Sequence, residues 1–241
     1  MNNKVLIITN KGENYGTGHF NRSNLLKRHL EKMNIACDLL MGKNIPKEIA
    51  SYQLVLLDSR DDEFPIEIIE KKNYYLMAMD NRGTGRKQCD LIWDTLPHIN
   101  MNDDELKTSL KNCILDPVIY ECTPMTTKSK IIRTLIENIE SNSEIDLIQY
   151  AQKERIELSK ELFHIKLIKS NKIGTYFGQT FFEALYLGKE IYLYDISEYH
   201  KQLSDWFTAK WNELPDLHDI FDGQGLHRLA ILIRSILTGT L

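Results

Sequence analysis

The segment Gly16-Thr17-Gly18-His19-Phe20-Asn21-Arg22 combines residue types that bind anions with residue types that move protons. The glycines allow backbone amides to approach a ligand closely, and His19 is of the residue type that most often transfers protons near neutral pH. Arg22 follows one helical turn later, where its charge would steer a phosphate or orient the imidazole. Two structural alternatives stand beside these roles: His19 as a brace for the following helix, and Arg22 as an ordinary surface charge.

The elements predicted around this segment place it at the carboxyl end of a strand. Residues 4–9, KVLIIT, form an apolar, β-branched run that predicts a buried strand, and residues 19–33 have helical spacing with Leu26, Leu30 and Met33 on one face. The order is therefore strand, glycine loop, helix. In open α/β sheets, ligands bind at the carboxyl ends of strands, where a helix N-terminus presents free N–H groups to anions.

The following residues repeat this alternation. Further strands are predicted at 35–41, 53–58, 74–79 and 90–94, with a helix at about 65–72. Strands that alternate with helices at this spacing predict parallel pairing in a doubly wound α/β sheet. Asp58 and Asp80 end two of the strands, a position that suits either a ligand site or ordinary turn chemistry.

The second half contains another strand–glycine–helix order. Residues 172–177 predict a strand, Gly178 and Gln179 a turn, and residues 180–187 a helix. Thr180 and Glu183 have the spacing of a capping box, in which both side chains satisfy helix N-terminal amides. Residues 113–120 are interpreted as a strand and 128–139 as a helix, whereas 162–168 fit either type. A domain boundary is expected after residue 111, which gives domains at 1–111 and 112–241.

Composition excludes several functional classes. The chain has 241 residues and a net charge of -4, which argues against a dedicated nucleic-acid binder, and no run approaches the roughly 18 apolar residues of a membrane helix. The four cysteines form no C-x-x-C pair, as expected of free thiols in a cytoplasmic protein. Structural roles, with no metal site, are expected for five histidines: His29, His98, His164, His218 and His227.

Several motifs together resemble one family. Gly16-Thr17-Gly18-His19 with Arg22 is similar to the Gly-x-Gly-His-x-x-Arg loop of PseG/SpsG-type nucleotide-sugar hydrolases, which are relatives of GT-B glycosyltransferases such as MurG. The later segments of that family are matched in order and at similar spacing by Val55-Leu-Leu-Asp58, Asp80-Asn81-Arg82, Cys89-Asp90-Leu-Ile-Trp-Asp94 and Phe177-Gly178-Gln179-Thr180 with Glu183.

The resemblance implies a GT-B-like fold of two Rossmann-like domains with a nucleotide-sugar in the cleft between them. His19 would be the general base that activates water against a UDP-linked deoxy-amino sugar, without metal or cofactor. Gly16, Gly18, Arg22, Asp58 and Asp80 would bind the substrate. The amides of Gly178, Gln179 and Thr180 would hold the diphosphate, and Glu183 the ribose. Other enzymes of surface-glycan or flagellin-sugar biosynthesis are the partners that the resemblance implies.

Two other functions remain open on the sequence. The stretch 9–15 lacks the Arg and Asp that precede the loop in the family, and the second half is shortened. Both departures suit a non-catalytic protein that binds a nucleotide-sugar or serves as a scaffold. A GT-B glycosyltransferase is the other alternative, and it would need an acceptor site.

Overall fold

The structure is a computed structural model that describes residues 4–10, 18–42, 46–58, 73–81, 83–122, 128–150, 160–214 and 220–240. The chain divides into two compact units. The first comprises residues 1–96, 112–114 and 224–241, and the second comprises residues 97–111 and 115–223. The predicted helix at 65–72 lies outside the described residues.

The first unit contains a five-stranded parallel sheet in the order β2-β1-β3-β4-β5. The strands are β1 (Lys4–Thr9), β2 (Ala36–Met41), β3 (Leu54–Asp58), β4 (Tyr75–Met79) and β5 (Leu91–Trp93). Its helices are α1 (Gly18–Lys32) and the C-terminal α8 (Gly225–Thr238), with 3₁₀ turns at Ile49–Ser51 and Thr84–Gln88. The predicted α/β class with parallel strands is confirmed.

The apolar runs of this sheet are buried on both faces, as parallel strands require. On one face, Val5 and Ile7 pack with Leu26 of α1 and Ile233 of α8. The opposite face carries a second cluster of Leu6, Ile8, Ile49, Tyr52, Val55, Leu57, Tyr74 and Leu76. Since Leu54 and Leu56 lie on the α1 side of β3, the alternation of side chains directs Asp58 to the same side.

The C-terminal helix α8 belongs to the compact body of the first unit, whereas the domain expected from the sequence grouped it with residues 112–241. Its apolar stripe completes the core beneath α1. The close packing begins at Gly225, where a Cβ would lie 2.3 Å from the carbonyl oxygen of Cys113. That approach requires glycine, because the contacted atom is backbone.

The second unit contains a four-stranded parallel sheet in the order β6-β9-β8-β7. Its strands are β6 (Ile131–Arg133), β7 (Leu147–Ile148), β8 (Lys172–Tyr176) and β9 (Glu190–Tyr194). Six helices lie between β5 and α8 along the described chain: α2 (Asp103–Asn112), α3 (Pro117–Tyr120), α4 (Ile136–Glu140), α5 (Lys160–Lys169), α6 (Gln179–Tyr186) and α7 (Glu198–Glu213).

Two predictions in this unit were wrong. The helix expected over 128–139 is replaced by β6 and α4, because Ile131 and Ile132 pair with β9, a contact that helical periodicity cannot reveal. No strand forms over 113–120: residues 113–116 have no regular secondary structure, and residues 117–120 form the short helix α3, which Asp116 caps by accepting a hydrogen bond from the amide of Val118. The ambiguous segment 162–168 is helical, within α5. Among the described residues, no helix is both long and apolar enough to cross a membrane.

Candidate functional site

The first unit brings four of the predicted site residues into one cluster. Helix α1 begins at Gly18, so His19 and Arg22 extend from its first turns beside Asp58 at the carboxyl end of β3. Asp80, which follows β4, reaches the same guanidinium. The cluster is thus built where strands β3 and β4 end and α1 begins, as the predicted strand–loop–helix order requires. Gly16 lies outside the described residues.

Arg22 and Asp58 form a buried ion pair. Arg22 is 3% exposed and Asp58 is fully buried. Nε of Arg22 donates to Oδ2 of Asp58 at 2.9 Å, and Nη2 donates to Oδ1. Ser23 adds a further donor to this carboxylate through Oγ at 2.8 Å. The surface-charge alternative for Arg22 is therefore wrong.

The pKa values of this pair reflect its charges. Burial alone would raise the pKa of Asp58, but the adjacent Arg22 guanidinium and the His19 ring outweigh it and hold that pKa well below its usual range. Burial would likewise lower the pKa of Arg22, whereas Asp58 and Asp80 raise it above its usual value. Asp58 is therefore a carboxylate and Arg22 a guanidinium at all physiological pH values.

Asp80 is fixed by backbone geometry and by Thr95. Its φ of +53° lies in the left-handed region, in which Asp is tolerated better than most residues. Oδ1 accepts hydrogen bonds from the amides of Thr95 at 2.6 Å and Leu96 at 3.0 Å. Oδ2 accepts from the hydroxyl of Thr95 and from Nη1 of Arg22, and the same Nη1 donates to Oγ1 of Thr95 at 3.0 Å.

His19 contacts the cluster through one ring nitrogen. Nδ1 lies 2.7 Å from Oδ1 of Asp58, and the side chain keeps 23% of its surface exposed. A carboxylate only accepts hydrogen bonds, so the short distance calls for a proton on Nδ1. In the neutral ring that proton leaves the lone pair on Nε2. An imidazole oriented by a buried carboxylate in this way can accept a proton from a bound molecule.

The second unit places its predicted residues around the start of α6. Gly178 is the N-cap of this helix, in extended backbone geometry, and no side chain caps it. The expected capping box is therefore wrong: Thr180 lies one residue inside the helix and is buried. The first turn also lacks an acidic residue, so the positive end of the helix is not neutralised there.

Glu183 is buried and takes part in a network that the sequence did not predict. It is 2% exposed, and its Oε2 lies 3.5 Å from Nε2 of His164 on α5. Nδ1 of His164 lies 3.8 Å from Oδ2 of Asp116, which is also buried. Gln179 donates to Oε1 of Glu183 at 3.3 Å. The ribose contact of Glu183 stays a prediction.

Several residues of both clusters escaped the sequence analysis. Ser23 and Thr95 bind the carboxylates of Asp58 and Asp80, and His164 joins Asp116 to Glu183. Of these, Ser23 could have been identified from the sequence, because it follows Arg22 at the start of a predicted helix. His164 lies in residues 162–168, whose sequence pattern fits either a helix or a strand. Within the described residues, no group of three or more His, Cys, Asp or Glu side chains has the arrangement of a metal site.

Comparison with models of known protein families gives no match, and comparison with curated protein sequences gives no significant match.

Proposed function

We propose that this protein is a hydrolase that cleaves a nucleotide-activated sugar, with His19 as the general base. The observation that carries the proposal is the contact of 2.7 Å between Nδ1 of His19 and Oδ1 of the buried Asp58. It orients a partly exposed imidazole at the carboxyl edge of a parallel sheet, where α/β proteins bind ligands. The resemblance of the Gly-x-Gly-His-x-x-Arg segment to nucleotide-sugar hydrolases names the substrate class.

In the proposed reaction, Nε2 of His19 accepts a proton from a water molecule as the water oxygen bonds to the anomeric carbon. The bond between that carbon and the diphosphate oxygen breaks, and its electron pair leaves with the nucleoside diphosphate. Asp58 stabilises the imidazolium formed, because its carboxylate already contacts Nδ1. The imidazolium then returns its proton to solvent, which regenerates the base.

The charge cluster favours a catalytic role over a scaffold. Burying Asp58 and Arg22 costs several kcal/mol of desolvation per ion, and apolar side chains of similar size often stabilise a fold as well or better. A network of this kind is therefore explained more easily by the orientation of His19 than by stability. A scaffold would need no such arrangement beside a partly exposed imidazole.

The diphosphate is assigned to the N-terminus of α6. The uncapped first turn and the absence of acidic residues there favour an anion, and the amides of Gly178, Gln179 and Thr180 are the proposed donors. The proposal also includes the GT-B-like arrangement, the UDP-linked deoxy-amino sugar and action in the cytoplasm. The four cysteines are free thiols, in keeping with a reducing compartment.

Calorimetric titration of UDP tests the diphosphate site. Gln179 is the first residue of α6 and follows an extended Gly178, so Gln179→Pro fits sterically and removes one N–H. Gln179→Ala changes the same side chain and keeps the N–H. We expect UDP to bind the wild type and Gln179→Ala with a micromolar Kd. For Gln179→Pro we expect the Kd to rise by up to about 10-fold. Absence of UDP binding to the folded protein, or preference for CMP, would contradict the assignment.

A further inference from the structure

Nδ1 of His19 has two neighbours with opposite requirements. Oδ1 of Asp58 lies at 2.7 Å and Nη2 of Arg22 at 3.0 Å. A carboxylate accepts hydrogen bonds and a guanidinium only donates them. In the neutral ring, Nδ1 therefore either carries the proton and donates to Asp58 or carries the lone pair and accepts from Arg22. Only the first tautomer leaves the lone pair on Nε2.

The balance between these tautomers depends on how the charge of Arg22 is shared. The guanidinium pairs with Asp58 on one side and with Asp80 on the other. Together the three groups carry a net charge of about −1, which favours a donor facing Asp58. If Asp80 were neutral, Arg22 would offset the whole charge of Asp58, and the carboxylate would attract the proton of Nδ1 less strongly.

Thr95 connects the two sides of this arrangement. Its hydroxyl donates to Oδ2 of Asp80, and its oxygen accepts from Nη1 of Arg22 at 3.0 Å. Thr95 is 1% exposed, so solvent does not replace these bonds. The backbone amide of Thr95 also fixes Oδ1 of Asp80. The position of the Nη1 end of the guanidinium is thus set from the β4 and β5 side of the sheet.

We propose that Asp80 and Thr95 are positioning residues that select the tautomer of His19. They hold the Nη1 end of Arg22 and share its charge, so Asp58 accepts the proton of Nδ1 and Nε2 keeps the lone pair. The role of Nε2 as a base rests on the proposed function, whereas the choice of tautomer does not. Asp80, assigned to substrate binding by the resemblance, thereby acts through Arg22.

The tautomer can be measured without substrate. Long-range ¹H–¹⁵N correlation spectra of the ¹⁵N-labelled full chain at about pH 8.5, where imidazole is neutral, distinguish protonated from unprotonated ring nitrogens. The signals of His19 are those that disappear in His19→Gln. We expect protonated Nδ1 in the wild type and a Nδ1–H to Nε2–H ratio about tenfold lower in Asp80→Asn.

Matched variants separate positioning from general loss of charge. Asp94→Asn removes the same charge from a carboxylate that pairs with Arg86 instead, and is expected to keep the wild-type ratio. Thr95→Val should shift the ratio in the same direction as Asp80→Asn, whereas Thr95→Ser, which keeps the hydroxyl, should not. Thr95→Val carries the test if Asp80→Asn does not fold.

A wild-type ring protonated on Nε2, or an unchanged ratio in the folded Asp80→Asn and Thr95→Val variants, would overturn the inference. Protonated Nδ1 with the expected shifts, in a protein that hydrolyses no nucleotide-sugar, would overturn the proposed function alone. Hydrolysis with an unchanged ratio in both variants would overturn the positioning role alone.

Discussion

Arg22 donates hydrogen bonds to Asp58 at the end of β3 and to Asp80 after β4, so one buried guanidinium joins the ends of two neighbouring strands. Both carboxylates lie at the carboxyl ends of strands whose other residues are mostly apolar. The two carboxylates therefore share one cation, whose single positive charge offsets about one of their two negative charges.

Removal of that guanidinium is expected to destabilise the first unit strongly. Arg22→Met keeps much of the side-chain volume but leaves Asp58 buried without its cation, which costs about 3–5 kcal/mol in comparable buried pairs. Urea-induced unfolding measures the loss. Arg28→Met, at an exposed position of the same helix, is the control and should change the free energy of unfolding by less than about 0.5 kcal/mol. Equal stability of both variants would show that the pair contributes nothing.

His164 is expected to stabilise the second unit through its two carboxylate neighbours. Replacement by Leu leaves Asp116 and Glu183 without the imidazole, at a cost of about 1–3 kcal/mol in the free energy of unfolding. Lys166→Leu, at an exposed position of α5, is the matched control.

A double-mutant cycle of His164→Leu with Glu183→Gln isolates the contact. Because the two side chains lie 3.5 Å apart, the effects of the two substitutions should not add. Strict additivity would mean that the imidazole and the carboxylate do not interact.

The stability of the first unit should fall in mildly acidic solution because of His29. Burial lowers the pKa of His29 below its usual value, and the nearby His227 and Lys32 add to this effect. The unfolded chain then binds a proton more readily than the folded one. The folded state therefore has its highest free energy of unfolding above about pH 6.5, the pKa of histidine in the unfolded chain. This free energy decreases as the pH falls through the lowered pKa of His29 in the folded protein.

Unfolding in urea between pH 5 and pH 8 measures this dependence. His29→Gln should flatten the profile in that range, whereas His98→Gln, in the second unit, should leave its slope unchanged. A wild-type profile without a decrease below pH 6.5, or a decrease that persists unchanged in His29→Gln, would exclude this role of His29.

The fold of the first unit was predictable because its strands are continuous apolar runs. Val5 to Ile8 and Leu54 to Leu57 have no competing helical period, and the helices between them imply parallel pairing. The second unit was less predictable, since Ile131 and Ile132 are stabilised as a strand by pairing with residues 60 positions later. Such long-range contacts leave no local pattern.

The candidate site was predictable in the same uneven way. Asp58 and Asp80 were identified because strand ends build sites in α/β proteins, and His19 and Arg22 because of their spacing after the glycines. Thr95 was not, because it follows β5 and reaches the guanidinium, 73 positions away in sequence, only because β5 pairs with β4 beside Asp80. Backbone geometry of that kind is not encoded in residue type alone.

The most direct test of the proposed function is the release of UDP from a panel of UDP-linked acetamido sugars, with and without the 6-hydroxyl. We expect the wild type to release UDP from at least one of them, and His19→Gln to lower kcat by about 10²- to 10⁴-fold while the protein stays folded. His29→Gln, a histidine of the same helix outside the cluster, is expected to keep the wild-type rate at pH 8. Undiminished release by His19→Gln, or no release from any sugar by the folded wild type, would contradict the assignment of His19 as the general base of a nucleotide-sugar hydrolase.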